Sequence, residues 1–538
     1  MKRLALVVLS LMLVMGLSVV AYAGPGSVVI KTDGDITARF GAQVRMVPTY
    51  EQNWDFGIRE RTNGAVSGNT AHLNEAGTVG SGYIRSEDRL YFNFAKGDIW
   101  DVYFALEFDD VLSSRTVDRS NQTPGDFAAF GVERLNASVK LPWILSRLNA
   151  GWDLYTVDLD AGSLVYTDDD PGFSIQGGVA NIDWKFGYHK VVESNRAIIF
   201  PSIAGGVITR NAVTNTAYDN DRSIVSARVN YTLFKDTKFG LIWALNDQKV
   251  RGNFPTSDPC VAPTCQNVNA HFISPIFVGS IAGFKVAAQY SHMFGEAEKM
   301  GVNNTTVANG NYDIESNAFF GDIAYDMTPW FGFRFIPHIG VIWTEGDDNP
   351  NDNKLKGYVG KNFQRFIPSF GGENTIVGDS NPVIGTLLYS FIPDQRGNQN
   401  GFLGVGGLAG TGRGDNPGLL LIGGGITVDP IKNWSYRTNV YYMEYNENFC
   451  LANVSGAGVC AATGSGAPNL IDKHEIGVAW DNEVSWWLDK NMVVKGQFSF
   501  IFPGDGLKQV TRALINNAAI GESDETAIRL AAELLWNF

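Results

Sequence analysis

The side chains able to do chemistry in this chain are arginines, lysines and carboxylates that alternate with apolar residues. Thr37, Arg39, Gln43 and Arg45 alternate with Ile36, Ala38, Phe40, Ala42, Val44 and Met46, and Asp101, Tyr103, Glu107 and Asp109 alternate with Trp100, Val102, Phe104, Leu106 and Phe108. Successive side chains of an extended strand point to opposite faces, so each run presents one polar and one apolar face. Charges lining water in this way attract and sort small ions and polar solutes by sign. Collected by parity, the basic set is Arg39, Arg45, Arg85, Arg89, Arg134, Lys140, Arg147, Lys185, Arg228, Lys285, Arg334, Arg437, Lys495 and Arg529. The acidic set is Glu87, Asp101, Glu107, Asp109, Asp153, Asp183, Glu475, Asp481, Glu483 and Glu533. If the apolar faces meet lipid, both sets line a lumen, and closure of the last strand on the first gathers Arg529, Arg39, Arg45, Arg85 and Arg89 into one basic patch.

Other chemistries find little support. The chain has 6 His and contains no nucleophile elbow, HExxH or phosphate-binding glycine loop, so no enzyme activity is expected. Ser291-His292 is the one pair that a lipid-facing hydrolase would use, and His292 reads better as an interfacial side chain. Asp168 to Asp170 and Asp347 to Asp352 lack EF-hand spacing and read as solvated loop acids. Cys260 with Cys265 and Cys450 with Cys460 form two local pairs without CxxC spacing, which in an exported chain read as loop disulfides worth roughly 2–3 kcal/mol each, not as a metal site. No metal and no cofactor are expected.

The elements that position these charges follow from the turns. Tight turns fall at Lys96 to Asp98, Pro142 to Ser146, Ala180, Lys235 to Lys238, Ile281 to Ala282, Thr328 to Trp330, Pro430 to Asn433, and Asp489 to Lys490. Each joins two strands, and a first and a last strand bring the number to about eighteen, with sixteen to twenty as the range. Long Asn/Gly/Thr-rich stretches separate the hairpins. Trp100, Trp143, Trp330, Trp434, Trp486 and Trp536 lie beside the turns or at the last strand's end, as an aromatic girdle requires. The expected fold is all-β, an antiparallel transmembrane barrel with short periplasmic turns and long external loops. The stretch from Glu345 to Asn416 is the longest loop, and its apolar centre suggests that it folds inward as a constriction or supplies one more hairpin.

The last strand carries Ile528, Leu530, Ala532, Leu534, Trp536 and Phe538 on one face and Arg529, Glu533 and Asn537 on the other. This ending resembles the closing strand of bacterial outer-membrane β-barrels, whose terminal Phe implies recognition by the barrel-assembly machinery. The stretch from His474, with Glu475, Glu483, an Asp489-Lys490-Asn491 turn and Phe502-Pro503-Gly504-Asp505, resembles the end of alginate-export-type and related substrate-channel porins. That resemblance implies a substrate channel. The mixed charge of the expected lumen departs from the densely basic pore of the alginate exporters.

Lys2 and Arg3 precede an apolar run from Leu4 to Val20, and Ala21-Tyr22-Ala23 fits a signal-peptidase site, so residues 1–23 are expected to be removed and 24–538 to form the barrel. Loss of Lys2 and Arg3 takes the formal charge from -14 to -16. An acidic balance of this size excludes nucleic acid as a partner. The expectation is therefore a porin in the outer membrane of a Gram-negative-type cell, passing small hydrophilic, preferentially anionic solutes, with a homotrimer as one expected assembly. The alternatives are a dedicated exporter, a barrel sheathing a partner protein, or a plugged structural or adhesive surface barrel.

Overall fold

The computed structural model describes residues 28–31, 35–53, 56–57, 81–111, 130–142, 145–192, 201–204, 207–210, 217–254, 265–298, 311–348, 353–358, 360, 417–450, 470–515 and 522–538. The leader, Trp143, Cys260, Cys460 and most of the 345–416 stretch lie outside the described residues, and with them both cysteine pairings.

Period-two alternation becomes a wall of eighteen antiparallel strands among the described residues. They are β1 (Ile36–Gln52), β2 (Ser81–Lys96), β3 (Trp100–Val111), β4 (Phe130–Leu141), β5 (Ser146–Thr156), β6 (Thr167–Val179), β7 (Ile182–Val192), β8 (Ala217–Phe234) and β9 (Thr237–Phe254). The remainder are β10 (Cys265–Ile281), β11 (Phe284–Glu298), β12 (Tyr312–Tyr325), β13 (Arg334–Thr344), β14 (Leu419–Asp429), β15 (Trp434–Tyr445), β16 (Glu475–Trp487), β17 (Met492–Pro503) and β18 (Ala527–Asn537). Each strand pairs with its sequence neighbours, and β18 pairs with β1, which closes the barrel. The terminal residue makes the last clasp: Ala42 N–H donates to Phe538 O at 2.9 Å, and Phe538 N–H donates to Ala42 O at 3.0 Å.

Seven of the eight expected tight turns occur within the described residues; of the eighth, Pro142 to Ser146, residues 143–144 lie outside them, and Leu141 pairs with Ser146 across it. Ala180, Asp236 and Ala282 take positive φ there, and Gly97 does so at φ 53°, because a two- or three-residue reversal between twisted strands needs left-handed backbone. The turn after β12 is a short helix, α1 (Thr328–Phe331), ended by Gly332 at φ 75°. Two stretches of weak pattern are also wall strands. Pro275 in β10 lies opposite Leu241, and in β14 Leu419 and Leu421 are buried while Ile422 faces outward.

The outer face is apolar around the whole circumference. Phe94, Val229, Leu241, Ile323 and Ile339 are all large side chains left exposed there, Ile339 at 60%. A soluble protein does not expose an apolar band of this extent. A closed barrel satisfies every backbone hydrogen bond internally and so can sit in hydrocarbon. The chain is an outer-membrane β-barrel. At its short-turn end Trp434 stacks on Trp486 at 5.5 Å, and Trp330 and Trp536 are exposed, which forms the expected aromatic rim. None of the described helices is long and apolar enough to cross a membrane.

Parity gives the first prediction. Phe104 packs outward against Phe92 with ring centroids 5.7 Å apart, whereas Tyr103 stacks with Tyr91 on the lumen side. Phe104→Arg should lower unfolding free energy by about 2–4 kcal/mol in lipid, and Tyr103→Arg by clearly less. Equal shifts in denaturant midpoint would mean that the assigned parity is wrong.

The lumen is divided. On β18 and β1 to β7 the inward side chains are mainly polar or charged. On β8 to β17 many are apolar and fully buried, among them Ile242, Phe272, Phe320, Ile342, Leu421 and Tyr441. A polar inward face on every strand was therefore an incorrect expectation: near the loop end these strands pack against chain folded into the barrel. A second helix, α2 (Asp505–Ile515), lies between β17 and β18 with Leu507 and Val510 buried on one face.

Candidate functional site

Closure of β18 on β1 brings opposite charges together across the seam. Arg45 of β1 pairs with Glu87 of β2, and its Nη2 lies 3.1 Å from Glu533 Oε2 of β18. Lys495 of β17 reaches Glu533 Oε1 at 2.7 Å. Arg85 holds Asp109 with two parallel bonds of 2.8 Å, and Arg89 binds Glu107 at 2.5 Å and Glu133 at 3.4 Å. Arg134 continues the ladder to Asp169 at 3.4 Å, and Arg529 lies 3.4 Å from Glu51. Side chains of one parity on adjacent strands come this close, so the register of the wall generates the ladder.

The sequence-derived sites are therefore partly assembled. Arg45, Arg85 and Arg89 do cluster, with Glu107 and Asp109 beside them, whereas Arg529 lies opposite Glu51, six residues along β1 from Arg45. The cluster is interleaved with carboxylates, so it is not an open basic patch. Arg39 stands apart, exposed toward the turn end of β1. Asp101 belongs to a different group, with Arg147 of β5. Arg334 pairs with Asp429 at 3.3 Å near the short turns, and Arg437 lies opposite Glu483 in the register. Asp481 is fully buried opposite Asn439. Glu475 does not join the lumen acids, because a bulge at Ile476 sets it opposite Glu444 on the outer side of the loop-end rim. Ser291 and His292 face opposite sides of the wall: the Ser291 hydroxyl donates to the Tyr358 oxygen inside, whose own proton goes to Leu164 O, and His292 contacts Asn317 outside. They form no shared catalytic pair.

The element that sequence reasoning missed is the link between β5 and β6, a strap from Val157 to Tyr166 that bends into the lumen. Asp158 organises it. One carboxylate oxygen accepts Val165 N–H at 2.7 Å and Gln289 Nε2–H at 2.8 Å, and the other accepts Tyr166 N–H at 3.3 Å. Gln289 of β11 returns the contact, its Oε1 accepting Gly162 N–H at 2.8 Å. Tyr358, three residues beyond the short strand Lys354–Leu355 that pairs with β12, donates to Leu164 O at 2.9 Å. On the near wall Arg228 of β8 forks onto Asp160 at 2.5 and 2.7 Å and donates to Val157 O at 2.8 Å. The strap is thus tied to both β8 and β11. Its signal in the sequence was an apolar content, Val157, Leu159, Leu164, Val165 and Tyr166, too high for a link in water. The signal for α2 was the i, i+3 pair Leu507 and Val510 after Asp505.

Burial pushes the Asp158 carboxyl up to about 6, against the opposing pull of the Gln289, Val165 and Tyr166 donors. A released strap would return it to the ordinary carboxylate range near 4. The docked state therefore holds the proton more tightly, and docking weakens as pH rises from about 4 to about 6, by roughly 2–3 kcal/mol, then stays level. Amide exchange in residues 158–165, corrected for intrinsic rate, should be faster at pH 7 than at pH 4.5, and Asp158→Asn should remove the difference. A pH-independent wild-type protection factor would refute this.

Beneath the strap lies a cavity of about 900 Å³ on the lumen side of β4 to β9, lined by Lys140, Arg147, Gln176, Asp183, Lys185, Arg228 and Lys238 among others. Among the described residues no cluster of His, Cys, Asp and Glu is arranged to hold a metal ion.

No protein-family model matches the chain, and no curated protein matches it. Solved structures do. A BenF-like porin from Pseudomonas fluorescens Pf-5 aligns at TM-score 0.44 and 11% identity, over 93% of this chain and 99% of its own. Pseudomonas aeruginosa OccK5 (OpdH) aligns at TM-score 0.40 and 10% identity, over 93% and 98%. Wzi of Escherichia coli, an outer membrane protein involved in group 1 capsule assembly and a carbohydrate-binding β-barrel, aligns at TM-score 0.41 and 10% identity, over 92% and 83%.

Proposed function

We propose that this barrel is a channel through which small hydrophilic solutes, anions in preference, cross the outer membrane by diffusion. The observation that carries the reading is the charged cavity within the lumen, about 900 Å³ and lined by five cationic and three acidic side chains. Eighteen strands give a barrel of the size that leaves an aqueous interior. The strap narrows that interior, and Tyr358 of the 345–416 stretch, most of which lies outside the described residues, packs against it. Insertion by assembly machinery that reads Phe538, and packing as a homotrimer, belong to the same proposal.

A second reading is a barrel closed at rest. It draws on the burial of Val157, Ala161, Leu164, Val165 and Tyr166 in the strap. Conductance of the refolded mature protein in a planar bilayer, with reversal potential in a salt gradient, separates the two. Discrete steps with anion preference support the proposal. Cation preference would keep the channel and remove the anion preference, and silence from a folded, heat-modifiable barrel would favour the closed form.

A further inference from the structure

The register of five consecutive strands places Lys140, Arg147, Gln176, Lys185 and Arg228 on one transverse row. Lys140 lies opposite Arg147, Arg147 opposite Gln176, Gln176 opposite Lys185, and Lys185 opposite Arg228. All five line the cavity under the strap. Like charges directly opposite one another on a sheet repel and destabilise the pairing, so a row of four cations needs compensation.

Compensation within the protein is uneven. Lys140 pairs with Asp98, Arg147 with Asp101, and Arg228 with Asp160. Asp183, two residues before Lys185, is taken by Lys238 at 2.7 Å and by Asn230. Lys185 has no carboxylate within ion-pair distance among the described residues. Its Nζ donates to Thr156 O at 3.1 Å and stands 5.9 Å from the centre of the Tyr155 ring, which leaves further N–H directions unused. Gln176, directly opposite, makes no side-chain hydrogen bond among the described residues. A lysine and an amide without an anionic partner thus sit side by side, flanked by two arginines and facing an open cavity.

We infer that this row is a binding seat for a small oxyanion, phosphate-like or carboxylate, held by Lys185 and Gln176 between Arg147 and Arg228. The inference rests on the channel reading only for its role in transport; as a binding site it stands alone. An anion there removes the repulsion along the row and replaces the missing carboxylate. The strap roofs the seat through Val157 and Asp160, so a solute that passes the strap meets it next.

Equilibrium dialysis of radiolabelled inorganic phosphate against the refolded barrel tests it without any current. The expected result is saturable binding of one phosphate per chain, with affinity reduced about tenfold or more in Lys185→Gln, as for loss of one charge-assisted contact. Gln176→Glu supplies Lys185 with a cross-strand carboxylate, so this variant should fold at least as well and lose phosphate binding. Displacement of the label by succinate as well as by sulfate would mark a general oxyanion seat, and displacement by sulfate alone a tetrahedral one. Absence of saturable binding to the folded wild-type barrel, or wild-type affinity in folded Gln176→Glu, would overturn the inference. A barrel that binds phosphate but passes no current would refute the channel reading and leave the seat standing.

Discussion

Replacing Arg45 by methionine is expected to destabilise the barrel by about 3–5 kcal/mol, since it strips a buried cation from two carboxylates at once. Arg45 and Glu533 have side-chain exposures of 4% and 0%, so neither charge can be rescued by water in place. Methionine preserves much of the volume, and the loss is therefore electrostatic. Arg45→Lys should fall between, because an ammonium lacks the fork that reaches Glu87 and Glu533 together. Glu533 keeps Lys495 at 2.7 Å when Arg45 is lost, so adding Glu533→Gln to Arg45→Met should deepen the loss by leaving that lysine without its carboxylate. Denaturant midpoints in lipid vesicles measure all three. A loss under about 1 kcal/mol in Arg45→Met would mean that the ladder is solvated and of the weak surface kind. The effect matters for closure, because this contact ties the first strand to the last, where β-barrels have no covalent continuity.

Releasing the strap is expected to have the largest effect on function. Asp158→Ala takes the acceptor from Val165 N–H, Tyr166 N–H and Gln289 Nε2–H together, and each unsatisfied buried donor costs about 1–3 kcal/mol. A penalty of that size shifts the docked population by tenfold or more. Gly162→Val should act in the same direction by a different route: a Cβ there would lie 2.6 Å from Phe320 Cβ and 2.8 Å from Gln289 Oε1. Both variants should raise single-channel conductance, and add slow current fluctuations, while leaving the heat-modifiable barrel intact. Unchanged conductance in both would show that solutes do not pass the strap, and the constriction would then have to be sought elsewhere in the lumen.

What could be read from the sequence was whatever depends on neighbours along the chain. Tight turns at Lys96 to Asp98, Ala180 and Lys235 to Lys238 are local signals of glycine, polar residues and a break in alternation. Parity within a strand is equally local, which is why Arg228 and Val229, or Tyr103 and Phe104, were assigned to opposite faces from their spacing alone. The alternation of Ile528 to Phe538 likewise marked the closing strand before its partner was known. Glu475 shows the limit of this logic: one unpaired residue at Ile476 turns the parity of everything before it, and a bulge has no composition of its own.

The sequence by itself determined the barrel, a strand number of about eighteen and the lipid-facing side of most strands, because two-residue periodicity and the chemistry of tight turns carry that information locally. Only the tertiary structure decided which charges meet. Arg45 with Glu533, Arg85 with Asp109, the Asp158 hub with Gln289, and the row from Lys140 to Arg228 all depend on the stagger between strands. The burial of Phe320 and Tyr441 toward the lumen depends likewise on chain folded into the barrel. Stagger is set by summed hydrogen bonds and packing across the whole wall, so no single stretch of residues encodes it.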